Sequence, residues 1–177
     1  MAEAALAPIE QVSKDSIRLE RLLEASPEKL WDYLTRAELR QQWFMGGTDA
    51  RPNSDFELLV DHDKLSDDEV PYPDTFECFK GRVFHEKVLK FEPPRLLETT
   101  FQGGKGGTVT YELFPEGPMT RLILTHSGIT DQSGFRDFGG GWTSHLAVLQ
   151  EKLAGRSVKN FWALHTECRE AVAKALG

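Results

Sequence analysis

The chain has 177 residues, of which 40% are hydrophobic and 28% are charged, and its formal net charge is −7. This composition is typical of a globular protein that can bury a core without disulfides or bound metal. An acidic chain lacks the basic face that attracts nucleic acids and anionic membranes, so we expect no nucleic-acid partner and no membrane insertion.

The cysteines and the apolar segments indicate a cytoplasmic protein. Cys78 and Cys168 lie far apart and form no C-x-x-C pair, so we expect reduced thiols and neither a disulfide framework nor a zinc site. The first residues lack the basic segment and the long apolar core of a signal peptide. No apolar run approaches the roughly 20 residues that span a bilayer.

The first quarter of the chain predicts a leader, a strand and short helices. Residues 1–15 are rich in alanine and polar side chains, and we expect a flexible leader there. Residues 16–24 alternate apolar and polar side chains, which is typical of a strand with one solvent-exposed face. Ser26 suits an N-cap and Pro27 suits the first helical turn, so one or two short helices should follow and end near residue 45.

The middle of the chain predicts an antiparallel meander. Five short apolar segments between residues 55 and 128 are separated by turn sequences, among them the glycine-rich 103–107. The glycines of 103–107 run into a strand pattern and not into a helix, which favours a hairpin turn over a phosphate loop. Residues 61–74 are acidic and contain prolines, so they should form a surface loop. This loop lacks the central glycine and the ligand spacing of an EF-hand, so no metal is expected.

The last third of the chain has helical periodicity. From Gly139 the sequence reads GGGWTSHLAVLQEKLAG, in which Trp142, Leu146, Leu149 and Leu153 form one apolar stripe. Because no phosphate-binding pattern follows the three glycines, we interpret them as a hinge that positions this helix. Residues 156–177 predict a second helix.

A sheet with one apolar face and a helix with one apolar stripe must bury these surfaces against each other. If the sheet is strongly curved, a pocket remains between them. His126 continues the apolar face of its strand and His145 flanks the helical stripe, so both are candidates for polar groups in that pocket. The alternative for each is an ordinary core histidine.

Four stretches resemble one known family when taken in order. They are residues 17–44, 87–102, 108–129 and 140–155, with a tryptophan after the short helices, a double proline between strands and a late G-W-x₃-L-x₂-L helix. The chain is similar to the START-related SRPBCC superfamily, in the branch resembling the C-terminal domain of the activator of the ninety-kilodalton heat-shock protein ATPase. The resemblance implies a cavity for a lipid, a hydrophobic metabolite or a polyketide. It places Trp43, Phe101, Trp142, Leu146 and Leu149 at the cavity.

The resemblance implies an α+β helix-grip fold, in which a curved antiparallel sheet wraps round a C-terminal helix and two short helices follow the first strand. We expect three parts: a flexible leader (1–15), the helix-grip domain (16–155) and a C-terminal helical extension (156–177).

The predicted function is binding of a small hydrophobic ligand between the sheet and the C-terminal helix. The alternatives are a co-chaperone-like protein-interaction module and an enzyme of the cyclase or dehydratase type with His126, His145 or Glu112 as acid–base groups. No catalytic constellation is evident, and no cofactor is expected. The sequence leaves two partners as alternatives, a second copy of the chain in a homodimer and a chaperone. The expected ligand-binding residues are Trp43, Phe56, Phe101, Tyr111, Leu124, His126, Trp142, His145, Leu146 and Leu149.

Overall fold

The computed structural model describes residues 8–177 and contains one eight-stranded antiparallel sheet. The strand order is β1-β2-β8-β7-β6-β5-β4-β3. The strands are β1 (Ile9–Ser13), β2 (Ser16–Leu23), β3 (Gly46–Gly47), β4 (Asp55–Leu59), β5 (Val83–Glu92), β6 (Leu96–Thr100), β7 (Thr108–Glu116) and β8 (Met119–Ser127).

Within residues 8–177, four helices complete the α+β helix-grip fold, and the curved sheet closes around the longest of them. Helix α1 contacts β7 and β8, whereas α3 contacts β1 and β2. Short 3-10 turns lie at His62–Leu65, Glu77–Phe79 and Gln102–Gly104. The helices are α1 (Pro27–Thr35), α2 (Ala37–Arg40), α3 (Gln132–Leu153) and α4 (Phe161–Leu176).

The N-terminal strand occupies residues that we had assigned to the leader. Strand β1 pairs with β2 through a tight connection, in which the Asp15 carboxylate accepts hydrogen bonds from Ser13 and Ser16. The short helices therefore follow the second strand and not the first. Residues 1–7 of the expected leader lie outside the described residues, and the division into three parts stays a prediction.

Helix α3 begins seven residues before the glycines that we interpreted as its hinge. Asp131 caps it by accepting a hydrogen bond of 2.7 Å from the Gly134 amide. A Cβ atom at Gly139 would lie 2.8 Å from Ile9, and one at Gly140 would lie 2.5 Å from Arg169. The hinge interpretation is wrong, because these two glycines lie inside the helix and allow β1 and α4 to approach it closely.

The C-terminal residues pack on the same chain. Helix α4 contacts α3 and β1. Its N-cap is Asn160, whose side chain accepts a hydrogen bond of 2.9 Å from the Ala163 amide. Phe161 and Cys168 are fully buried, and Val172 is nearly so. This packing covers the side of α3 that the sheet does not cover.

The acidic segment 61–74 is only partly a surface loop. His62, Leu65 and Tyr72 are buried, although most of the acidic side chains around them are exposed. The expectation of a wholly solvated loop is therefore wrong at these positions. Their burial follows from tertiary contacts with α4, described below.

Candidate functional site: a groove lined by aromatic and histidine side chains

A groove of about 640 Å³ opens between the sheet, α3, α4 and the segment 61–79. This volume lies within the range of small-molecule sites in proteins. Its charged residues, Lys105, Asp131, Asp137 and Arg169, are all exposed. The wall includes three histidines and many aromatic side chains, namely His62, His145, His165, Tyr72, Phe76, Phe101, Phe138, Phe161 and Trp162.

Helix α3 positions His145 on this wall. Its Nδ1 atom lies 2.8 Å from the carbonyl oxygen of Trp43. A carbonyl can only accept, so Nδ1 carries the proton and donates it. Burial, with His62 as a neighbour, holds the pKa of His145 well below its ordinary value and keeps the ring neutral. The second nitrogen, Nε2, is therefore unprotonated and is a hydrogen-bond acceptor.

His62 lies next to His145 and comes from the 3-10 turn that starts the acidic segment. The centroids of the two rings are 5.0 Å apart, with the rings nearly perpendicular. Burial lowers the pKa of His62 to about 4, and the neighbouring His165 is a second, smaller cause of the same shift. Its Nδ1 atom is sealed from solvent and has no hydrogen-bond partner within the described part of the chain.

Aromatic rings join the acidic segment to α4. Trp162 lies with its ring centroid 5.0 Å from Tyr72 and is stacked on Phe76 at 5.1 Å. The hydroxyl of Tyr72 accepts a hydrogen bond of 2.5 Å from the His62 amide. His165 meets the ring of Phe76 edge-on at 5.1 Å. One wall of the groove is thus a contact between a loop and a helix.

Backbone hydrogen bonds hold the segment in this position. The Asp67 amide donates to the Val158 carbonyl at 2.9 Å, and the Asp68 amide donates to the Lys159 carbonyl at 3.1 Å. The Ser66 hydroxyl accepts a bond of 2.8 Å from the Phe161 amide at the start of α4. These bonds tie the acidic segment to the connection between α3 and α4.

His126 has a different environment from the one we expected. It is fully buried, its Nδ1 accepts a hydrogen bond of 2.9 Å from the Trp142 indole, and its Nε2 lies 2.6 Å from the Gly106 carbonyl. Both ring nitrogens are therefore used inside the protein, and burial lowers the pKa of His126 to about 4. His126 does not line the groove and connects β8, α3 and the 103–107 turn.

The other expected site residues divide between the wall and the core. Phe101 and His145 lie on the wall of the groove. Phe56 and Tyr111 border a separate small cavity of about 20 Å³, which Phe101 also touches. Glu112, the possible acid–base group, does not line the groove. The remaining residues are packed in the core and do not line it: Trp43, Leu124, Trp142, Leu146 and Leu149.

Sequence reasoning missed much of the site. His62, Tyr72 and Phe76 lie in or beside a segment whose acidic composition indicated a solvated loop. Phe161 and His165 lie in residues 156–177, for which only a second helix was predicted. The available signal was the concentration of aromatic residues in 72–79, which is unusual for a solvated loop.

The described residues offer no metal-binding cluster and no membrane-crossing helix. In residues 8–177, no three histidine, cysteine or acidic side chains are arranged to hold a metal ion. None of the helices within the same range has the length and apolar character needed to cross a bilayer.

The groove lies in a fold shared with several solved structures. A protein from Bordetella parapertussis, solved by NMR, is 35% identical over 94% of this chain and 89% of its own length, with a TM-score of 0.77. CalU16 from Micromonospora echinospora is 23% identical over 90% and 86% of the two chains, with a TM-score of 0.64. The Aha1 dimer from Colwellia psychrerythraea is 18% identical over 78% of this chain and 95% of its own length, with a TM-score of 0.57.

The sequence comparisons agree with the structural ones. No curated protein matches this sequence significantly. Residues 24–154 match the family described as activator of Hsp90 ATPase homolog 1-like protein. These residues run from the end of β2 to the end of α3 and so include most of the sheet and the helix that it grips. The chain therefore belongs to the family of proteins similar to activator of Hsp90 ATPase homolog 1, within the SRPBCC superfamily.

Proposed function

We propose that the protein binds a small hydrophobic ligand in the groove between the sheet, α3 and α4. The observation that carries this proposal is the groove itself, about 640 Å³ in volume, whose wall includes eight aromatic side chains and three histidines. Aromatic side chains that remain accessible in a concave site favour contact with apolar molecules. The charged residues of the groove are exposed, and one of them, Arg169, lies over the ring of Phe76 with its guanidinium carbon 6.0 Å from the ring centroid.

Gly141 offers a way to fill this groove without disturbing the core. It lines the groove, and a Cβ atom placed on it would have no neighbour within 4 Å. A larger side chain there should enter open space, and replacing a helical glycine also favours the helix. Gly141→Phe should therefore fold and obstruct the groove.

We expect naphthalene to bind the wild-type protein saturably and to bind Gly141→Phe at least about tenfold more weakly, which corresponds to about 1.4 kcal/mol. Arg136→Phe is the control, because Arg136 is an exposed residue of the same helix that does not line the groove. The measurement is an NMR titration of the three proteins. Equal affinity in wild type and Gly141→Phe would reject this site.

The family description supports a second candidate, a co-chaperone-type interaction with Hsp90. Exposed apolar side chains on β4 and β5 provide a surface for a protein contact, with Leu59 opposite Val83 and Leu89 six residues farther along β5. Addition of the protein should then raise the ATPase rate of Hsp90. An unchanged rate at saturating protein would reject this candidate and leave the ligand proposal intact.

A homodimer is a further expectation for this chain. The Colwellia psychrerythraea relative is described as a dimer. Analytical ultracentrifugation across a range of concentrations would measure the mass, and a constant monomer mass would contradict this expectation.

A further inference from the structure

The groove presents neutral hydrogen-bonding groups beside the ring of Phe161. The charged residues on its wall are all solvent-exposed. The ring centroids of three histidines, His62, His145 and His165, lie 5.0–5.9 Å from that of Phe161, and burial lowers the pKa of each and keeps the rings neutral. Burying a ligand's charge there without a partner would be costly. The buried part of a ligand should therefore be neutral.

His145 supplies an acceptor. Its Nδ1 proton is donated to the Trp43 carbonyl, so a neutral ring leaves the lone pair of Nε2 free. Within residues 8–177, Nε2 has no hydrogen-bond partner, yet it is not among the polar atoms sealed from solvent. Its ring forms part of the groove wall. A ligand that satisfies this atom must donate a hydrogen bond.

His62 supplies a donor. Its side chain is more than nine-tenths buried, and its sealed Nδ1 has no partner among the described residues. A buried N–H group without a partner is rarer in proteins than an acceptor without one. We therefore assign the single proton of the neutral ring to Nε2, which is not among the polar atoms sealed from solvent. A ligand that satisfies this atom must accept a hydrogen bond.

The two free nitrogens lie on neighbouring rings whose centroids are 5.0 Å apart. This ring-to-ring spacing is close to the span of up to about 5.6 Å that one oxygen bridges when it makes two hydrogen bonds of about 2.8 Å. We propose that His62 and His145 together recognise a hydroxyl group, so that the ligand of this groove is a neutral aromatic compound carrying a hydroxyl. This inference rests on the proposed function, since it specifies the ligand of the same groove.

A hydroxyl differs from other polar groups because it donates and accepts through one atom. An ether or ketone would satisfy only His62, and it would leave the acceptor of His145 unpaired. A carboxylate would bring a charge beside neutral histidine rings, and, because it only accepts hydrogen bonds, it would leave the acceptor of His145 unpaired. The aromatic wall formed by Phe76, Phe161 and Trp162 favours a planar ring beside the hydroxyl.

The test compares four probes of one ring system by NMR titration of the wild-type protein: β-naphthol, its methyl ether, naphthalene and β-naphthoate. We expect β-naphthol to bind about tenfold more tightly than the other three, the factor that one net hydrogen bond of ordinary strength provides. The methyl ether is larger than the naphthol and naphthalene is smaller, so size alone cannot produce this order.

A matched pair of variants assigns the effect to its residue. In His145→Phe the preference for β-naphthol over its methyl ether should disappear. In His85→Phe, which changes an exposed histidine on β5 outside the groove, the preference should persist. If His145→Phe does not fold, the titration of the wild-type protein with the four probes tests the hydroxyl assignment by itself.

The outcomes separate this inference from the proposed function. Equal binding of β-naphthol and its methyl ether by the wild type, or tighter binding of β-naphthoate, would overturn the hydroxyl assignment but leave a hydrophobic site. Persistence of the preference in a folded His145→Phe protein would overturn the role of His145. Failure of all four probes to bind would overturn both proposals.

Discussion

His126 and His145 carry their protons on opposite nitrogens, and the difference follows from their partners. The Trp142 indole can only donate, so it makes Nδ1 of His126 an acceptor and leaves the proton on Nε2. The Trp43 carbonyl can only accept, so it holds the proton of His145 on Nδ1. Two histidines that the sequence made equivalent candidates are thus different: one connects core elements and the other keeps a free nitrogen at the groove.

This assignment predicts a spectroscopic result. Imidazole ¹⁵N spectra near neutral pH should show the Nε2–H tautomer for His126 and the Nδ1–H tautomer for His145. For His62 the proposed donor role requires the Nε2–H tautomer. Exposed His85 provides the control, because its ring lies outside the groove. An Nε2–H tautomer at His145 would contradict the acceptor role on which the hydroxyl proposal depends.

The sequence could place His145 near a pocket but could not identify its partner. The helical stripe that contains Trp142 and Leu146 predicts which side of α3 faces the protein interior, and His145 is adjacent to that stripe. The neighbouring His62 is 83 positions away and reaches His145 only because the acidic segment folds against α4. No local pattern encodes such a long-range contact.

The glycines of α3 determine how closely α4 can approach it. Gly140 faces Arg169, whose backbone Cα would lie 3.0 Å from an added Cβ, whereas Gly141 faces open space. An alanine at either position favours the helix by up to about 1 kcal/mol in isolation. Only at Gly140 must the neighbouring helix move to accommodate it.

We therefore predict opposite effects on the free energy of unfolding from two adjacent substitutions. Gly140→Ala should destabilise the protein by about 1–3 kcal/mol, because overpacking shifts α4. Gly141→Ala should leave stability unchanged or raise it by up to about 1 kcal/mol. Urea unfolding of both variants measures the difference. Equal stability of the two variants would show that α4 does not pack against Gly140.

At the level of elements, alternation of apolar residues predicted most of the meander, since apolar and polar side chains alternate along a strand that has one face exposed. The same reasoning missed β1 and the first turns of α3. Strand β1 is largely exposed at the edge of the sheet, so it carries little apolar alternation. The helix continues through three glycines, and close packing requires two of them, Gly139 and Gly140, whereas propensity alone predicts a break there.

The whole molecule should lose stability on mild acidification, because several buried histidines remain neutral when folded. Burial lowers the pKa of His62, His126 and His165 to about 4, against an ordinary value of 6.5. Between these values the unfolded chain binds more protons than the folded one, so the free energy of unfolding falls as the pH falls. Glu86 acts in the opposite sense, because burial raises its pKa.

The predicted loss is about 3 kcal/mol for one such histidine over this range, at 1.36 kcal/mol for each unit of pKa. Urea unfolding between pH 6.5 and pH 4 measures the loss. His165→Phe should reduce the dependence on pH, because it removes one of the three groups. A free energy of unfolding that stays constant over this range would contradict the neutral, buried state of these histidines.

The family match and the architecture could be predicted from sequence because both depend on patterns spread over most of the chain. The groove could not be predicted, since its wall combines α3, α4, the sheet and the acidic segment, which lie far apart in the sequence. The central claim is that this groove binds a hydrophobic ligand.

The tryptophans make that claim directly measurable, because Trp162 lies on the groove wall whereas Trp43 and Trp142 are packed in the core. The measurement is the position of their indole N–H signals in an NMR titration with β-naphthol. We predict a large, saturable shift for Trp162, with much smaller shifts for Trp43 and Trp142. No saturable shift at Trp162, or shifts concentrated at the core tryptophans, would contradict the claim.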